Sequence, residues 1–169
     1  MEVTEFKKAV LPFSPKLLRF AIRILEDTES AKDVVQDVFL KLWLMRDKLS
    51  NYRNLEAYAM TMTRNLCIDL LRRTRPVPLN ESFSAELDDP EAGIEARDTG
   101  SRVMQIVSKL PEQQRTVIHL KDIEGYSTGE VMDILGINAN TLRVNLSRAR
   151  KKVRDIMLNK NTTPWIAER

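Results

Sequence analysis

Apolar residues recur along this chain with the periodicity of α-helices. Four segments share the spacing i, i+3, i+4, i+7, or an extension of it, which places the apolar side chains on one face of a helix. Their apolar positions are Leu18, Ala21, Ile22 and Leu25; Val35, Val38, Phe39 and Leu42; Leu55, Ala59, Met62, Leu66 and Leu70; and Val103, Ile106, Val107 and Leu110. No segment alternates convincingly with a period of two, as a strand would. The pattern therefore predicts an all-α fold.

Residues 76–100 interrupt this pattern. They contain three prolines, two glycines and few large apolar residues, a composition typical of a linker. They hold 1 Lys or Arg against 7 Asp and Glu, a net charge of −6, whereas residues 1–75 hold 14 against 10 and residues 101–169 hold 12 against 7. The sequence predicts two small helical domains joined by a flexible acidic linker. The two basic blocks favour polyanion partners.

Residues 110–153 contain signals that begin and end helices. Pro111 suits the first position of a helix, where no amide donor is needed. Gly125 and Gly136 can adopt the left-handed conformation that closes a helix. These signals divide the segment into separate helices.

Two further signals mark where the later helices of this segment begin. Ser127 and Glu130 form an S-x-x-E capping box, in which each side chain accepts a hydrogen bond from the backbone amide of the other residue. Asn138 is a suitable N-cap for the last helix. Together with the two glycines, these residues predict a helix-turn-helix in the C-terminal domain.

The last predicted helix has an apolar side and a basic side. Its apolar stripe comprises Leu142, Leu146, Ala149 and Val153. Residues 141–154 contain six basic residues and no acidic one. A solvated charged helix would explain the charges alone. The helix-turn-helix pattern and the absence of compensating carboxylates favour a helix that lies in the major groove of DNA.

The N-terminal domain has two long predicted helices with polar residues opposite their apolar stripes. On the first, Asp33, Gln36 and Asp37 lie on the outer side. On the second, Asn65 precedes a basic end at Arg72 and Arg73. Carboxylates and an amide beside an aliphatic patch are suited to a basic amphipathic partner.

With both domains in this order and separation, the chain resembles the extracytoplasmic-function (ECF) sigma factors of the sigma-70 family. The resemblance covers residues 11–75 and 101–156 and implies region 2 at residues 1–75, a linker at 76–100 and region 4 at 101–169. It implies a sigma factor that directs RNA polymerase to promoters and initiates transcription. The implied partners are the β′ and β subunits of core RNA polymerase, promoter DNA and an anti-sigma factor.

The resemblance also assigns site residues. Binding to the β′ coiled coil of core polymerase would fall to Asp33, Gln36, Asp37, Leu40 and Lys41. The melted −10 element would be held by Asn51, Tyr52, Arg53, Asn54, Arg64, Asn65, Ile68, Arg72 and Arg73, with Arg75 as a further phosphate-binding cation. The −35 duplex would be held by Thr141, Arg143, Val144, Ser147, Arg148 and Lys151. Phosphate contacts or solvated charges are expected at Arg150, Lys152 and Arg154.

The alternative is a helix-turn-helix transcription regulator that does not bind core polymerase as a sigma subunit. It would explain the C-terminal domain. It would leave the exposed Asp33, Gln36 and Asp37 face and the surroundings of Asn65 without a role.

The residues show no pattern typical of catalysis, a metal site or a cofactor, so we expect a non-enzymatic protein. His119 is predicted to lie off the apolar face of its helix, without Cys or Glu neighbours at ligand spacing. The lone cysteine, Cys67, is expected to be an inert packing residue in a reducing compartment. Asp69 is expected to form an internal ion pair, and Trp43 to pack against its domain. No apolar run reaches membrane-spanning length, which predicts a cytoplasmic protein without membrane insertion.

Overall fold

The computed structural model describes residues 1–74 and 98–159. Regular structure in these two ranges is helical, with no strand among the described residues, which confirms the all-α prediction. The chain divides into two compact units. The first contains the helices before residue 75, and the second contains most of the described residues after 97.

Four α-helices form the first unit. They are α1 (Val3–Val10), α2 (Ser14–Leu25), α3 (Thr28–Leu44) and α4 (Leu55–Thr74). Helix α2 packs against both α3 and α4, and α3 also packs against α4. Short 3-10 turns at Leu11–Phe13 and Arg46–Asn51 connect α1 to α2 and lead from α3 towards α4. The core therefore lies among α2, α3 and α4.

The buried row of α3 agrees with the predicted stripe, since Val35, Val38 and Leu42 are buried. The predicted row of α2 is displaced. Leu17 and Phe20 are fully buried, whereas the side chains of Leu18, Ile22 and Leu25 are half-buried. Most of this helix is apolar, so the sequence alone does not determine which row faces the core.

Helix α4 buries smaller residues than its pattern predicts. Ala59, Met60, Thr63 and Cys67 are fully buried, while the predicted apolar positions Met62, Leu66 and Leu70 are half-buried. The Thr63 hydroxyl donates to the carbonyl of Ala59 at 2.8 Å, which satisfies the buried polar group. Small side chains on this row allow close approach of the neighbouring helices.

Cys67 is a buried packing residue, as predicted. Burial raises the pKa of its thiol to about 12, so the thiol stays protonated near neutral pH. Asp69, by contrast, is exposed, so the prediction of an internal ion pair is not borne out among the described residues.

Four further α-helices lie after residue 97. They are α5 (Thr99–Ser108), α6 (Glu112–Ile118), α7 (Thr128–Leu135) and α8 (Ala139–Asn159). A π-helical turn, His119–Ile123, continues α6. Helix α8 packs against α5 and α6, with Ile106 and Ile156 buried together where α5 meets α8. Long helix α8 is thus held along one side and open on the other.

The predicted helix boundaries after residue 97 are confirmed at four points. Gly125 and Gly136 have φ of 79° and 64°, the left-handed conformation in which glycine avoids a steric penalty. In the capping box, the Ser127 amide donates to Glu130 at 2.7 Å and the Glu130 amide donates to Ser127 Oγ at 3.2 Å. The Thr141 amide donates to Asn138 Oδ1 at 2.8 Å, as expected for an N-cap.

Two details of the second unit differ from the predictions. Pro111 is the N-cap residue of α6, one position before the first helical residue. His119 is 4% exposed, not on an open face, and its Nε2 lies 3.4 Å from Glu124 Oε1. The residues on both sides of His119 are also buried, so this part of the helix has no solvent-facing side.

None of the helices in the described ranges combines the length and the hydropathy needed to cross a membrane. Within the same ranges, His, Cys, Asp and Glu side chains form no group of three or more that could hold a metal ion.

Candidate functional site

The open side of α8 forms one wall of a basic groove in the second unit. Half of the groove's ten lining residues are Lys or Arg. They are Lys121, Thr128, Ala139, Leu142, Arg143, Leu146, Ser147, Arg150, Lys151 and Arg154. The opposite wall comes from the π-helical turn and the first residue of α7. The helix-turn-helix thus presents a cationic concave surface, which is suited to a phosphate backbone.

The predicted −35 residues divide between this groove and its border. Arg143, Ser147 and Lys151 line the groove and follow one another at i, i+4 and i+8. The side chains of Val144 and Arg148, also four residues apart, form the adjoining row, half-buried and exposed respectively. Both rows project from the same helix, so one α8 surface carries basic, hydroxyl and aliphatic groups.

Thr141 has a more limited role in this geometry. Its side chain is half-buried in the first turn of α8, and its backbone carbonyl accepts from Asn145 Nδ2 at 3.0 Å. Asn145 also reaches Gln113 of α6 at 3.5 Å. These contacts fix the start of α8 against α6.

Sequence reasoning did not include Lys121 and Thr128, which line the groove from outside α8. Thr128 directly follows the capping-box serine, at the helix start where backbone amides attract anions. The position of Thr128 could therefore have indicated a phosphate contact from the sequence alone. Lys121 carried no comparable signal, because it reaches the groove through the fold, which places the π-helical turn beside Arg150 of α8.

Arg150 has a partner that the sequence did not predict. Its Nε and Nη2 donate to the two carboxylate oxygens of Asp122 at 2.8 Å and 2.6 Å. The Arg150 guanidinium lowers the pKa of the Asp122 carboxyl, mainly through this hydrogen bonding, and the carboxylate in turn raises the pKa of Arg150. Arg150 is therefore paired within the protein, and the expectation of a phosphate contact or solvated charge at this position stays a prediction. The pair fastens α8 to the π-helical turn.

We expect Asp122→Asn to destabilise the second unit by less than about 1 kcal/mol at pH 7, because both side chains are partly exposed, 33% for Asp122 and 52% for Arg150. A carboxyl whose pKa is lowered in the folded state stabilises the fold above its ordinary pKa of 3.8. That contribution is lost as the pH falls through the lower folded value. The difference between Asp122→Asn and the parent should therefore shrink as the pH falls below 3.8.

Urea unfolding at pH 7, 5 and 3 measures this difference. The matched control is Asp155→Asn, which changes an exposed carboxylate on α8, the helix that carries Arg150. A difference between Asp122→Asn and the parent that stays constant over this pH range would contradict the assignment.

Helix α3 of the first unit carries a second exposed surface, which we call the α3 stripe: Asp33, Gln36, Asp37, Leu40, Lys41 and Leu44. All six side chains are exposed and lie within one face of the helix. Leu40 and Leu44 are 56% and 72% exposed, unusual values for large aliphatic residues. The stripe is acidic towards the start of α3 and aliphatic towards its end. Leu44 was not predicted, although its i+4 spacing from Leu40 was a signal.

The loop before α4 brings together the predicted residues Asn51, Tyr52, Arg53 and Asn54. Asn51 and Arg53 are exposed. Tyr52 stacks on Tyr58 of α4, with ring centroids 4.1 Å apart and an angle of 25° between the planes. Asn54 Oδ1 accepts from the Ala57 amide at 2.9 Å and so caps α4.

Tyr58 supports the Tyr52 ring by this stacking. Its hydroxyl approaches the Met45 sulfur at 3.9 Å, and hydrogen bonding with Tyr52 raises the pKa of the Tyr58 hydroxyl. The tyrosine pair therefore ties the loop to the first turns of α4.

Along α4, the predicted residues form a polar and basic surface that continues from this loop. Asn65, Arg72 and Arg73 are exposed, and Arg64 and Ile68 are half-buried. Asn65, Ile68 and Arg72 follow at i, i+3 and i+7, so they share one side of the helix. Arg75, the further predicted cation, lies outside the described residues.

Two family models match this chain. The family model for sigma-70 region 2 matches residues 10–77, and the model for sigma-70 region 4 matches residues 101–153. The chain belongs to the sigma-70 family.

Relatives along most of the chain define the group within that family. The chain is 28% identical over 170 residues to the RNA polymerase sigma-E factor of Streptomyces avermitilis, covering 99% of this chain and 93% of the relative. It is 24% identical over 155 residues to the ECF RNA polymerase sigma factor SigW of Bacillus subtilis, covering 84% and 83%. The protein is an ECF sigma factor, as the motifs predicted.

Two solved structures share the fold. The sigma factor RpoE from Bartonella quintana, crystallised with the anti-sigma factor NepR, has a TM-score of 0.66 and 24% identity, over 92% of this chain and 98% of that chain. CnrH, solved in complex with the cytosolic domain of CnrY, has a TM-score of 0.61 and 21% identity, over 96% and 92%.

Proposed function

We propose that this sigma factor directs core RNA polymerase to promoters by three contacts. The α3 stripe docks on the polymerase, α8 binds the −35 element as duplex, and the loop before α4 together with α4 holds a melted −10 strand. One observation carries the proposal. Two matched family regions occur in order on one chain, and each has an exposed surface chemically suited to its part of the task.

Docking on the polymerase is supported by the composition of the α3 stripe. Asp33 and Asp37 suit a basic surface and would speed association by electrostatic attraction. Leu40 and Leu44 supply aliphatic area that gains free energy only when a partner covers it. The stripe therefore fits an amphipathic helical partner such as the β′ coiled coil.

Duplex binding is supported by the two rows on α8. Arg143 and Arg148 can each donate two parallel hydrogen bonds to a guanine, and the methyl groups of Val144 suit a thymine methyl. Ser147 and Lys151, with Lys121 and Thr128 across the groove, suit phosphates. Base-contacting and phosphate-contacting groups thus project from one helix-turn-helix.

Binding of a melted strand is supported by the loop and α4. Unstacking a base costs a few kcal/mol, which pocket contacts must offset. Asn51 and Asn65 offer donors and acceptors for a base edge, and Tyr52 offers an aromatic ring. The exposed Arg53, Arg72 and Arg73 would neutralise phosphates.

The same proposal assigns region 2 to residues 1–75, the linker to residues 76–100 and region 4 to residues 101–169. The protein would then act in the cytoplasm, where the polymerase is, and would carry out no chemistry of its own, since RNA synthesis belongs to the polymerase.

We infer that an anti-sigma factor regulates this activity. The support is that one relative of the same fold, the sigma factor RpoE, was solved in complex with the anti-sigma factor NepR. A partner of this kind would cover the α3 stripe or the α8 surface. It should therefore compete with core polymerase or with DNA.

In vitro transcription with purified cognate core polymerase and fragments of the source genome tests the proposed function. Sequencing of RNA 5′ ends should give discrete start sites preceded by two shared motifs at a fixed spacing. A chain that never associates with core polymerase, or start sites identical to those of core enzyme alone, would refute the proposal. Sequence-specific DNA binding without polymerase association would instead support the helix-turn-helix regulator.

A further inference from the structure

Helix α1 packs an aromatic side chain against the end of α3. The end of α3 is close in sequence to the loop at residues 51–54, which we call the candidate −10 loop. Phe6 is 8% exposed, and its ring meets the Trp43 ring edge-on, with centroids 5.1 Å apart and an angle of 75°. Most of α1 precedes residue 10, where the match to the region 2 family begins. Helix α1 and Phe6 thus lie almost entirely before the matched range.

Trp43 also contacts the segment that leads into the candidate −10 loop. The Arg46 guanidinium lies over the Trp43 ring, with its central carbon 4.4 Å from the ring centroid. Arg46 Nη1 also donates to the Trp43 carbonyl at 3.1 Å. Arg46 is the first residue of the 3-10 turn Arg46–Asn51, which ends within the candidate −10 loop. Phe6, Trp43 and Arg46 thus form a continuous aromatic–cation relay from α1 to the turn.

The other end of the loop is fixed independently. The Tyr52–Tyr58 stack and the Asn54 cap attach it to α4. Between the two attachments, Leu49 is buried at 3% exposure, while Asn51 and Arg53 are exposed. The exposed residues are therefore held in position from both sides. The relay attaches the first side to α1, and the Met1 ammonium adds a second N-terminal attachment by donating to Asp47 Oδ1 of the same turn at 3.1 Å.

We propose that α1 is a brace for the −10 loop and that Phe6 is its positioning residue, acting through Trp43 and Arg46. The inference rests on the proposed function of the loop. Phe6 has no role in contacting DNA. Loss of the Phe6 ring frees Trp43 and Arg46. The population of the binding-competent loop conformation then falls, and the affinity for the strand falls by the same factor.

The test uses holoenzymes reconstituted from full-length variants and core polymerase. Affinity is measured for a fluorescent single strand that carries the −10 motif found by start-site mapping, against a scrambled strand. Phe6→Ala should weaken binding of the −10 strand about tenfold, as expected if the competent population falls to about a tenth. Affinity for core polymerase should stay unchanged. Phe6→Tyr, which keeps the ring, should restore strand binding, and Val3→Ala, at a 50% exposed position of the same helix, should have no effect.

A double-mutant cycle separates the relay from a general loss of stability. If Phe6 acts through Arg46, the variant Phe6→Ala/Arg46→Ala should bind the strand no more weakly than the weaker single variant. Should Phe6→Ala fail to fold by circular dichroism, Phe6→Leu, which keeps buried volume without the ring, takes its place in the cycle.

Several outcomes would overturn the brace. They are unchanged strand binding by Phe6→Ala, no recovery by Phe6→Tyr, single-variant losses that multiply in the double variant, and an equal fall in core affinity. If the unsubstituted holoenzyme does not distinguish the −10 strand from the scrambled strand, the proposed function itself fails. If the unsubstituted holoenzyme does distinguish the two strands and Phe6→Ala has no effect, only the brace fails.

Discussion

Leu40→Asp should prevent assembly of the holoenzyme while leaving the first unit folded. Leu40 is 56% exposed in the middle of the α3 stripe, so the substitution removes no core packing. In the complex, the new carboxylate would be buried beside Leu44 without a partner. An uncompensated charge at a buried contact costs about 3–5 kcal/mol, which corresponds to a loss of affinity for core polymerase of roughly 100- to 4000-fold.

Fluorescence anisotropy with labelled sigma factor and purified core polymerase measures this loss. The matched control is Thr28→Asp, which adds the same charge to the exposed first turn of α3, away from the stripe. An acidic residue at a helix start is favourable, so this control should be stable and assemble normally. Normal assembly of Leu40→Asp would remove the α3 stripe from the proposed interface.

Arg143→Ala should reduce transcription from promoters with an intact −35 element by about 10- to 100-fold. The side chain lines the groove, and its Nη2 donates to Asn140 Oδ1 at 3.0 Å, which holds the guanidinium in place before DNA binds. Loss of one bidentate contact to a guanine costs about 1–3 kcal/mol of discrimination. Arg148→Ala, on the adjoining row, should act in the same direction.

Promoter strength should be measured on duplexes with and without the −35 element. Arg143→Ala should narrow the difference in transcription between the two templates. The substitution removes recognition of the −35 bases, while general electrostatic attraction to DNA remains. Lys152→Ala is the control for loss of positive charge alone. Lys152 is an exposed cation on α8 that does not line the groove, so its loss should not narrow the difference in transcription between the templates. An equal reduction on both templates, or a fall in core affinity, would contradict direct recognition of the −35 element by Arg143.

Local signals predicted much of this fold because their physics is local. Gly125, Gly136 and Asn138 act within a few residues of their own positions, and each has the conformation or hydrogen bond expected from its type. The division into two helical units and the exposed side of α3 likewise follow from periodicity and composition. The ECF family was evident from the same motifs.

Features that depend on contacts distant in sequence were missed. Arg150 meets Asp122 across 28 residues, and nothing in either local sequence indicates the other. His119 was misplaced because a helical projection assumes burial on one side only, whereas His119 lies in a π-helical turn enclosed by buried neighbours. Lys121 and the Phe6–Trp43 contact were missed for the same reason, since packing alone brings those groups together.

The Arg150–Asp122 pair has a consequence for how ionic strength affects promoter binding. Each Lys or Arg that neutralises a phosphate releases condensed counter-ions, and adds about 0.9 to the slope of log affinity against log salt concentration. Arg150 already carries its counter-ion within the protein, so at most five of the six basic residues at positions 141–154 can contribute in full. This unit should therefore lose affinity less steeply with added salt than its charge count suggests.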